Sequence, residues 1–183
     1  NAINDAPVLA AVSDVAFDED TSTSISVSGS DVDGDALTFS IAGGTDITAT
    51  LDGSDIAFTA SANFNGSETF TITTTDSELS DSQNITVTVN AVNDAPVATT
   101  GLSGTTNEDQ SIVINLSGSD IDGDALTFNA DTPSNGSITI DGNIATYSPN
   151  QDYNGDDSFT FTVSDGNLDD SATVTLTIDP VND

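Results

Sequence analysis

Apolar residues occupy every second position in several short stretches of the chain. Phe70 and Ile72 form one such pair, and Ile85, Val87 and Val89 form another series, with Thr at the positions between them. This alternation is typical of antiparallel strands that have one buried face and one solvated face. Gly, Asn and Asp turns separate the stretches, and no segment has helical periodicity.

The alternating stretches recur often enough to predict a fold class. The remaining alternating apolar positions are Ile25, Val27, Leu37, Phe39 and Ile41. The counterparts of the alternating residues in both lists, at 114, 116, 126, 128, 159, 161, 174, 176 and 178, are again apolar. Such spacing gives about seven short strands in each half of the chain, the number of an immunoglobulin-sized sandwich. We therefore expect an all-β chain of two tandem seven-stranded sandwiches arranged end to end.

One repeat, present twice at an offset of 89 residues, organises the sequence. Asn4-Asp5-Ala6-Pro7 returns at 93–96, and Asp31-Val32-Asp33-Gly34-Asp35 returns at 120–124. The predicted domains are therefore residues 1–92 and 93–183. Both ends of the chain match the internal junction, so we expect the chain to be a piece of a longer array of repeats.

The charge of the chain excludes several classes of function. The 183 residues include 31 Asp and Glu but no Lys, Arg, His or Cys, which gives a formal net charge of −31. Without cationic side chains, nucleic acid and anionic membranes are excluded as direct partners. Triads built on His, Schiff-base chemistry and Cys or His zinc sites are excluded as well. The oxygen ligands that remain suit calcium.

Three alternating carboxylates precede a predicted strand in each repeat. Asp31, Asp33 and Asp35 surround one tight turn at Gly34, and the same pattern recurs at 120–124. This spacing resembles the start of an EF-hand loop, but the flanking helices and the distant Glu are absent. The acidic positions that both copies keep lie mostly in loops and junctions, which favours metal ligation. A solvated Asp-Gly turn on a salt-adapted acidic surface is the alternative.

The order of acidic motifs resembles a known family. The motifs are Glu19, Asp31-x-Asp33, Asn65-Gly66-Ser67-Glu68, Asp76, Asp81 and the closing Asn90-Ala91-Val92-Asn93-Asp94-Ala95-Pro96. This order resembles cadherin repeats, and more closely the bacterial cadherin-like repeats of large calcium-dependent surface adhesins. The resemblance covers the whole chain twice and implies cadherin-like sandwiches.

The resemblance also implies a set of calcium ligands at each junction. The complete internal site would use Glu19, Glu68, Asn90, Asn93, Asp94, Asp120, Asp122 and Asp165. Half sites at the ends would use Asn1, Asn4, Asp5, Asp31, Asp33 and Asp76, and Glu108, Asp157, Asp179, Asn182 and Asp183. Asn replaces the family's first linker Asp at position 90, so we expect fewer ions or weaker binding, about 10⁻⁴ to 10⁻³ M. Asp35, Asp124, Asp81 and Asp170 either complete a site within each repeat or are solvated.

The function implied by the resemblance is mechanical. The chain would be a calcium-binding, extracellular, secreted or cell-surface module that stiffens a long bacterial adhesin and supports cell adhesion in biofilms. Its partners would be the neighbouring repeats of the same chain. The alternative is a calcium-dependent carbohydrate-binding module with a polysaccharide or cell-surface ligand, which exposed rings at Phe64 and Tyr153 would favour. We expect no enzymatic activity, because a shallow sandwich offers no cleft for paired catalytic carboxylates.

Overall fold

A computed structural model describes residues 3–182. The chain divides into two compact units, Asn1–Val92 and Asn93–Asp183. The strands of the first unit are β1 (Val8–Leu9), β2 (Val15–Asp18), β3 (Ser22–Ser26), β4 (Gly29–Ser30), β5 (Thr38–Gly43), β6 (Ile47–Asp52), β7 (Asp55–Ala60), β8 (Gly66–Thr75) and β9 (Ser80–Asn90). The strands of the second unit are β10 (Val97–Ala98), β11 (Ser103–Asn107), β12 (Ile112–Asn115), β13 (Gly118–Ser119), β14 (Thr127–Ala130), β15 (Gly136–Asp141), β16 (Ile144–Pro149), β17 (Gly155–Ser164) and β18 (Asp169–Asp179).

Both units have the same sheet topology. In the first unit, β2-β9-β8-β5 form a four-stranded sheet and β3-β7-β6 form a three-stranded sheet. In the second unit, the corresponding sheets are β11-β18-β17-β14 and β12-β16-β15. Strands β2 and β11 run parallel to β9 and β18, and the other pairs are antiparallel. The predicted all-β fold of two tandem sandwiches is confirmed. A two-residue pair, β1 with β4 or β10 with β13, adds to the seven strands of the larger sheets in each described unit.

The inward positions of the first unit build its core. Phe58 and Phe70 are fully buried, and their rings meet edge to face with centroids 5.4 Å apart. Phe70 lies on the four-stranded sheet and Phe58 on the three-stranded sheet, so their contact joins the two layers. The alternation in β8 and β9 is confirmed, because Ile72, Ile85 and Val87 are each at most 1% exposed.

The second core has a tyrosine at one position of this aromatic pair, and its hydroxyl makes a polar contact. Tyr147, at the position of Phe58, is fully buried, and its hydroxyl donates a hydrogen bond to Asp157 Oδ2 at 2.9 Å. The Asn135 N–H donates to the same oxygen at 2.9 Å. Burial and the contact with Asp157 both raise the pKa of Tyr147. The hydroxyl is therefore a donor at every ordinary pH.

Two inward residues fall just outside their expected strands. Val27 follows β3 and Leu116 follows β12, yet both are buried. The Val27 N–H donates to Ser54 O, and the Leu116 N–H donates to Asn143 O, each at 2.8 Å. The strands end here because the chain crosses from the smaller sheet to β4 or β13, which lead directly into the acidic loops.

Candidate metal centre

The acidic loop after β4 is a compact nest of backbone amides around one carboxylate. Asp31 Oδ1 accepts the N–H groups of Asp33 at 2.8 Å, Gly34 at 3.1 Å and Asp35 at 3.3 Å. Gly34 has a φ of 82°, which a residue with a side chain rarely adopts. One carboxylate oxygen from each of the three Asp residues lies within 4.8 Å of the others. The loop therefore gathers negative charge at one point.

One oxygen in this loop is left without a partner. Asp31 Oδ2 is buried and has no hydrogen-bond partner within residues 3–182. Its counterpart, Asp120 Oδ2, is in the same condition in the second unit. Asp120, Asp122 and Asp124 also bring one oxygen each within 4.8 Å of the others. A buried acceptor without a partner is costly, so both loops have an oxygen that a cation would satisfy.

The segment that opens each repeat packs against these loops. In the first unit, the Asn4 side-chain amide donates to Asp76 Oδ2 at 3.0 Å, and the Asp5 N–H donates to Asp33 Oδ2 at 2.8 Å. The N–H groups of Leu79 and Glu78 and the Asn4 amide lower the pKa of Asp76. An open cleft of about 470 Å³ joins the two contacts, and its lining residues are Ile3, Asn4, Asp33, Asp35, Asp76, Ser77 and Glu78.

The second unit repeats this arrangement. The Asn93 side-chain amide donates to Asp165 Oδ2 at 2.8 Å, and the Asp94 N–H donates to Asp122 Oδ2 at 2.8 Å. The Asn93 amide, followed by the N–H groups of Leu168 and Asn167, lowers the pKa of Asp165. The structure thus brings together Asn4, Asp5, Asp31, Asp33 and Asp76 in one unit, and Asn93, Asp94, Asp120, Asp122 and Asp165 in the other. We call each of these sets an entry set, because it includes the residues with which its repeat begins.

A buried glutamate marks the other end of each repeat. Glu19 is only 3% exposed; its Oε1 accepts the Val92 N–H at 2.6 Å, while Oε2 is buried without a partner among the described residues. Glu108 is 7% exposed, with Oε1 accepting the Val181 N–H and Oε2 accepting the Asn154 amide at 3.4 Å. Asn90 lies beside Glu19, because its carbonyl accepts the Glu19 N–H at 3.0 Å.

Glu19 and the acidic loop lie at opposite ends of the same unit. Glu19 bonds to Asn90, the last residue of β9, whereas Asp76 lies in the turn that precedes the first residue of β9. The 11 residues of β9 rise about 3.3 Å each, which separates the two ends by roughly 30 Å. We call Glu19 with Asn90, and Glu108 with Asp179, the exit sets. One ion cannot contact both sets of a single repeat.

Glu68 and Asp157 each accept hydrogen bonds from groups of their own unit. Glu68 accepts the N–H groups of Thr45, Asp46 and Ile47 and so closes the turn between β5 and β6. Burial opposes the ionised form, but these three amides outweigh it and lower the pKa of Glu68. Asp157 similarly binds Tyr147 and Asn135. Their part in metal binding stays a prediction.

The structure does not place every residue singled out from the sequence in a candidate site. Asn182 is exposed, and Asn1 and Asp183 lie outside the described residues. Phe64 and Tyr153 pack against the two cores as partly buried rings, and the Tyr153 hydroxyl donates to Asp156 O at 2.7 Å. The exposed rings that would favour carbohydrate binding are therefore not found at these two positions.

Several residues of the candidate centre were not assigned from the sequence. Asp35 and Asp124 belong to the loop clusters, and Asp81 and Asp170 bind the backbone of β1 and β10. The burial of Glu19 had a usable signal, since Val15, Phe17 and Glu19 continue one inward period of two and all three are buried. A buried acid directly after a strand, in phase with its inward residues, is unusual enough to mark a functional group.

The donors fit a hard divalent cation better than any other ion. Each unit offers carboxylate and amide oxygens, some of them buried and unsatisfied, and the whole chain has no Lys, Arg or His to neutralise them. Calcium takes six to eight such oxygens in flexible geometry, whereas magnesium needs a near-ideal octahedron.

Within residues 3–182 there is no helix long and apolar enough to cross a membrane.

Comparisons with known proteins agree with this architecture. A family model described as a bacterial Ig domain matches residues 4–88 and again residues 93–177. Human protocadherin-24 EC1-2 is 17% identical, with a TM-score of 0.64 over 96% of this chain and 99% of that chain. Drosophila N-cadherin EC1-4 is 15% identical, with a TM-score of 0.62 over 98% of this chain and 50% of that chain. The resemblance to bacterial cadherin-like repeats is confirmed.

A third solved structure is similar at a lower level. An endo-fucoidan hydrolase from glycoside hydrolase family 107 is 23% identical over 97% of this chain, with a TM-score of 0.40. The chain spans only 29% of that enzyme's length. This likeness carries no argument about activity. The comparison with curated proteins gives no match.

Proposed function

The chain belongs to the bacterial Ig domain family, and we propose that its two repeats bind calcium and stiffen a long extracellular adhesin or surface protein. Domains of this family are typically extracellular or surface-exposed and typically non-enzymatic. The observation that carries the proposal is the buried, unpartnered Oε2 of Glu19 in a chain without one cationic side chain. We assign no catalytic activity to the chain.

The counter-charge for the buried carboxylates must come from outside the chain, which has no Lys, Arg or His. Burying an ionised carboxylate costs several kcal/mol unless a cation or several donors compensate it. Glu19 receives one N–H on Oε1 and nothing on Oε2 among the described residues. The same reasoning applies to Asp31 and Asp120, where two loops with identical spacing leave the same oxygen unsatisfied. A divalent cation bound at each of these places would satisfy the unpaired oxygen there.

The mechanism requires ions that are shared between consecutive repeats. Each repeat has its entry set and its exit set roughly 30 Å apart, so an ion can join them only if they belong to different repeats. The covalent chain favours such sharing, because only three residue steps, at most about 10 Å, separate Asn90 from Asn93. With calcium the linker would stop bending, and without calcium the carboxylates would repel one another. The predicted ligands Glu68, Asp157, Asn182 and Asp183 remain part of this proposal.

A saturable binding measurement tests the proposal. Titration calorimetry with calcium should show binding in the range of about 10⁻⁴ to 10⁻³ M, with magnesium weaker and sodium without a saturable phase. Equal heats for calcium, magnesium and ionic-strength-matched sodium would contradict the proposal and leave a salt-adapted acidic surface as the explanation. Wild-type protein stripped with chelator is the reference for each titration.

A further inference from the structure

Asp81 and Asp170 occupy equivalent places near the starts of β9 and β18. In the first unit, the Leu9 N–H donates to Asp81 Oδ2 at 2.9 Å and the Ser82 N–H donates to Oδ1 at 2.8 Å. In the second unit, the Ala98 N–H donates to Asp170 Oδ2 at 2.8 Å. Leu9 and Ala98 are the last residues of β1 and β10, so each carboxylate holds the end of that short strand.

The strand held in this way carries the opening residues of the entry set. In the second unit, the segment Asn93–Ala98 is bound at its start by Asp165, through Asn93, and at its end by Asp170. Asp165 lies in the turn between β17 and β18, and Asp170 is the second residue of β18. The strand β10 also pairs with β13 through Val97 and Ser119, and Asp120 follows Ser119 directly. Displacing β10 would therefore disturb both sides of the entry set.

We propose that Asp81 and Asp170 are positioning residues of the candidate metal centre, which fix the backbone that carries its ligands and do not contact the ion themselves. The inference rests on the proposed calcium function. It assigns a role to two acids that the ligand pattern leaves out.

The ionised carboxylate suits this task better than an amide of the same shape. The N–H groups of Ala98 and Ser171 lower the pKa of Asp170, so the carboxylate is ionised at neutral pH. At the equivalent Asp81, the carboxylate offers one oxygen to each amide. Asn at this position has a single acceptor oxygen, and its NH₂ group would face one of the two N–H donors. An Asp170→Asn variant should therefore release one end of the segment while preserving the volume of the side chain.

The test compares Asp170→Asn with Asp169→Asn in the two-repeat protein. Asp169 is the exposed neighbour, so its substitution removes the same charge without releasing Ala98. Hydrogen exchange without calcium should become about 10-fold faster or more in residues 93–98 of Asp170→Asn. The buried Val174 amide, as an internal reference, should change far less. Calcium affinity should fall about 10-fold relative to Asp169→Asn.

The outcomes separate the positioning role from the function on which it rests. Unchanged exchange in residues 93–98, or equal calcium affinities in the two variants, would overturn the positioning role. Faster exchange spread equally to Val174 would also overturn it, because it would indicate general destabilisation. If the wild type shows no saturable calcium binding, the proposed function fails, and faster local exchange still shows that Asp170 fixes the segment.

Discussion

The effect of Glu19→Gln on the stability of the first repeat should have opposite signs in calcium-free and calcium-loaded protein. The substitution keeps an acceptor for the Val92 N–H and removes the charge from the buried Oε2. Leaving a buried acceptor unsatisfied costs about 1–3 kcal/mol, and more when it is charged. Glu19→Gln should therefore stabilise the calcium-free first repeat by at least about 1 kcal/mol, which raises its Tm by roughly 4–8 °C.

Calcium should cancel this advantage. At a calcium concentration of 100 times Kd, the wild type gains about 2.7 kcal/mol from binding. If the loss of one carboxylate weakens binding about 100-fold, the variant gains only about 0.4 kcal/mol at the same concentration. The advantage of the variant should thus shrink by about 2.3 kcal/mol, enough to erase or invert a stabilisation of about 1–2 kcal/mol.

The assay is thermal melting of both proteins in chelator and in calcium at matched ionic strength. The control is Asp52→Asn, which removes one charge from the exposed last residue of β6 in the same repeat and should shift Tm equally in both buffers. An equal rise for Glu19→Gln in both buffers would refute the reasoning, because calcium would then gain nothing from the Glu19 carboxylate. A fall in Tm in chelator would show that the burial of Glu19 carries no net cost.

Three further predictions follow from particular contacts. Thr74 Oγ1 is fully buried with no partner in the described part of the chain, and Val163 holds the equivalent position in the second repeat. Thr74→Val should therefore stabilise the first repeat by about 1 kcal/mol, and Val163→Thr should destabilise the second. Urea unfolding measures both changes. Tyr147→Phe should cost about 1–2 kcal/mol in the same assay, because it removes the hydroxyl bound to Asp157. No loss would mean that the N–H groups of Asn135 and Ser158 satisfy Asp157 without the hydroxyl. The folded-state pKa of Asp170 is lowered below its ordinary value of 3.8, so its stabilising effect is fully present above that value and is lost as pH falls through the folded-state pKa. Asp170→Asn should therefore destabilise calcium-free protein at pH 7 and do so progressively less as the pH is lowered into the acid range. A destabilisation that does not shrink with falling pH would contradict this cause.

The alternation of apolar residues was sufficient to predict the sandwich, because each half-buried strand has a period of two. It could not predict Thr74, which lies at an inward position of β8 but is polar, or the short pairs β1-β4 and β10-β13. Two residues are too few to show a period. The sequence also does not show why Phe58 and Glu68 are exchanged together for Tyr147 and Asp157. In the structure, Glu68 binds backbone amides, whereas Asp157 accepts the Tyr147 hydroxyl.

The entry sets were largely predictable, because the repeat and the family resemblance named Asn93, Asp94, Asp120, Asp122 and Asp165, and the structure brings them together. Carboxylates that bind backbone amides are harder to predict. Sequence spacing does not show which amides lack a partner, so acids that support the fold and acids that could bind an ion have the same appearance in the sequence.

Small-angle scattering together with thermal melting of the two-repeat chain tests the central claim most directly. The comparison is millimolar calcium against excess chelator, with sodium chloride added to match ionic strength. The account predicts that calcium extends the particle toward a stiff rod and raises Tm, whereas sodium at equal ionic strength does neither. A shape and a Tm that depend on ionic strength alone would contradict the account, because the acids would then act as a salt-adapted coat.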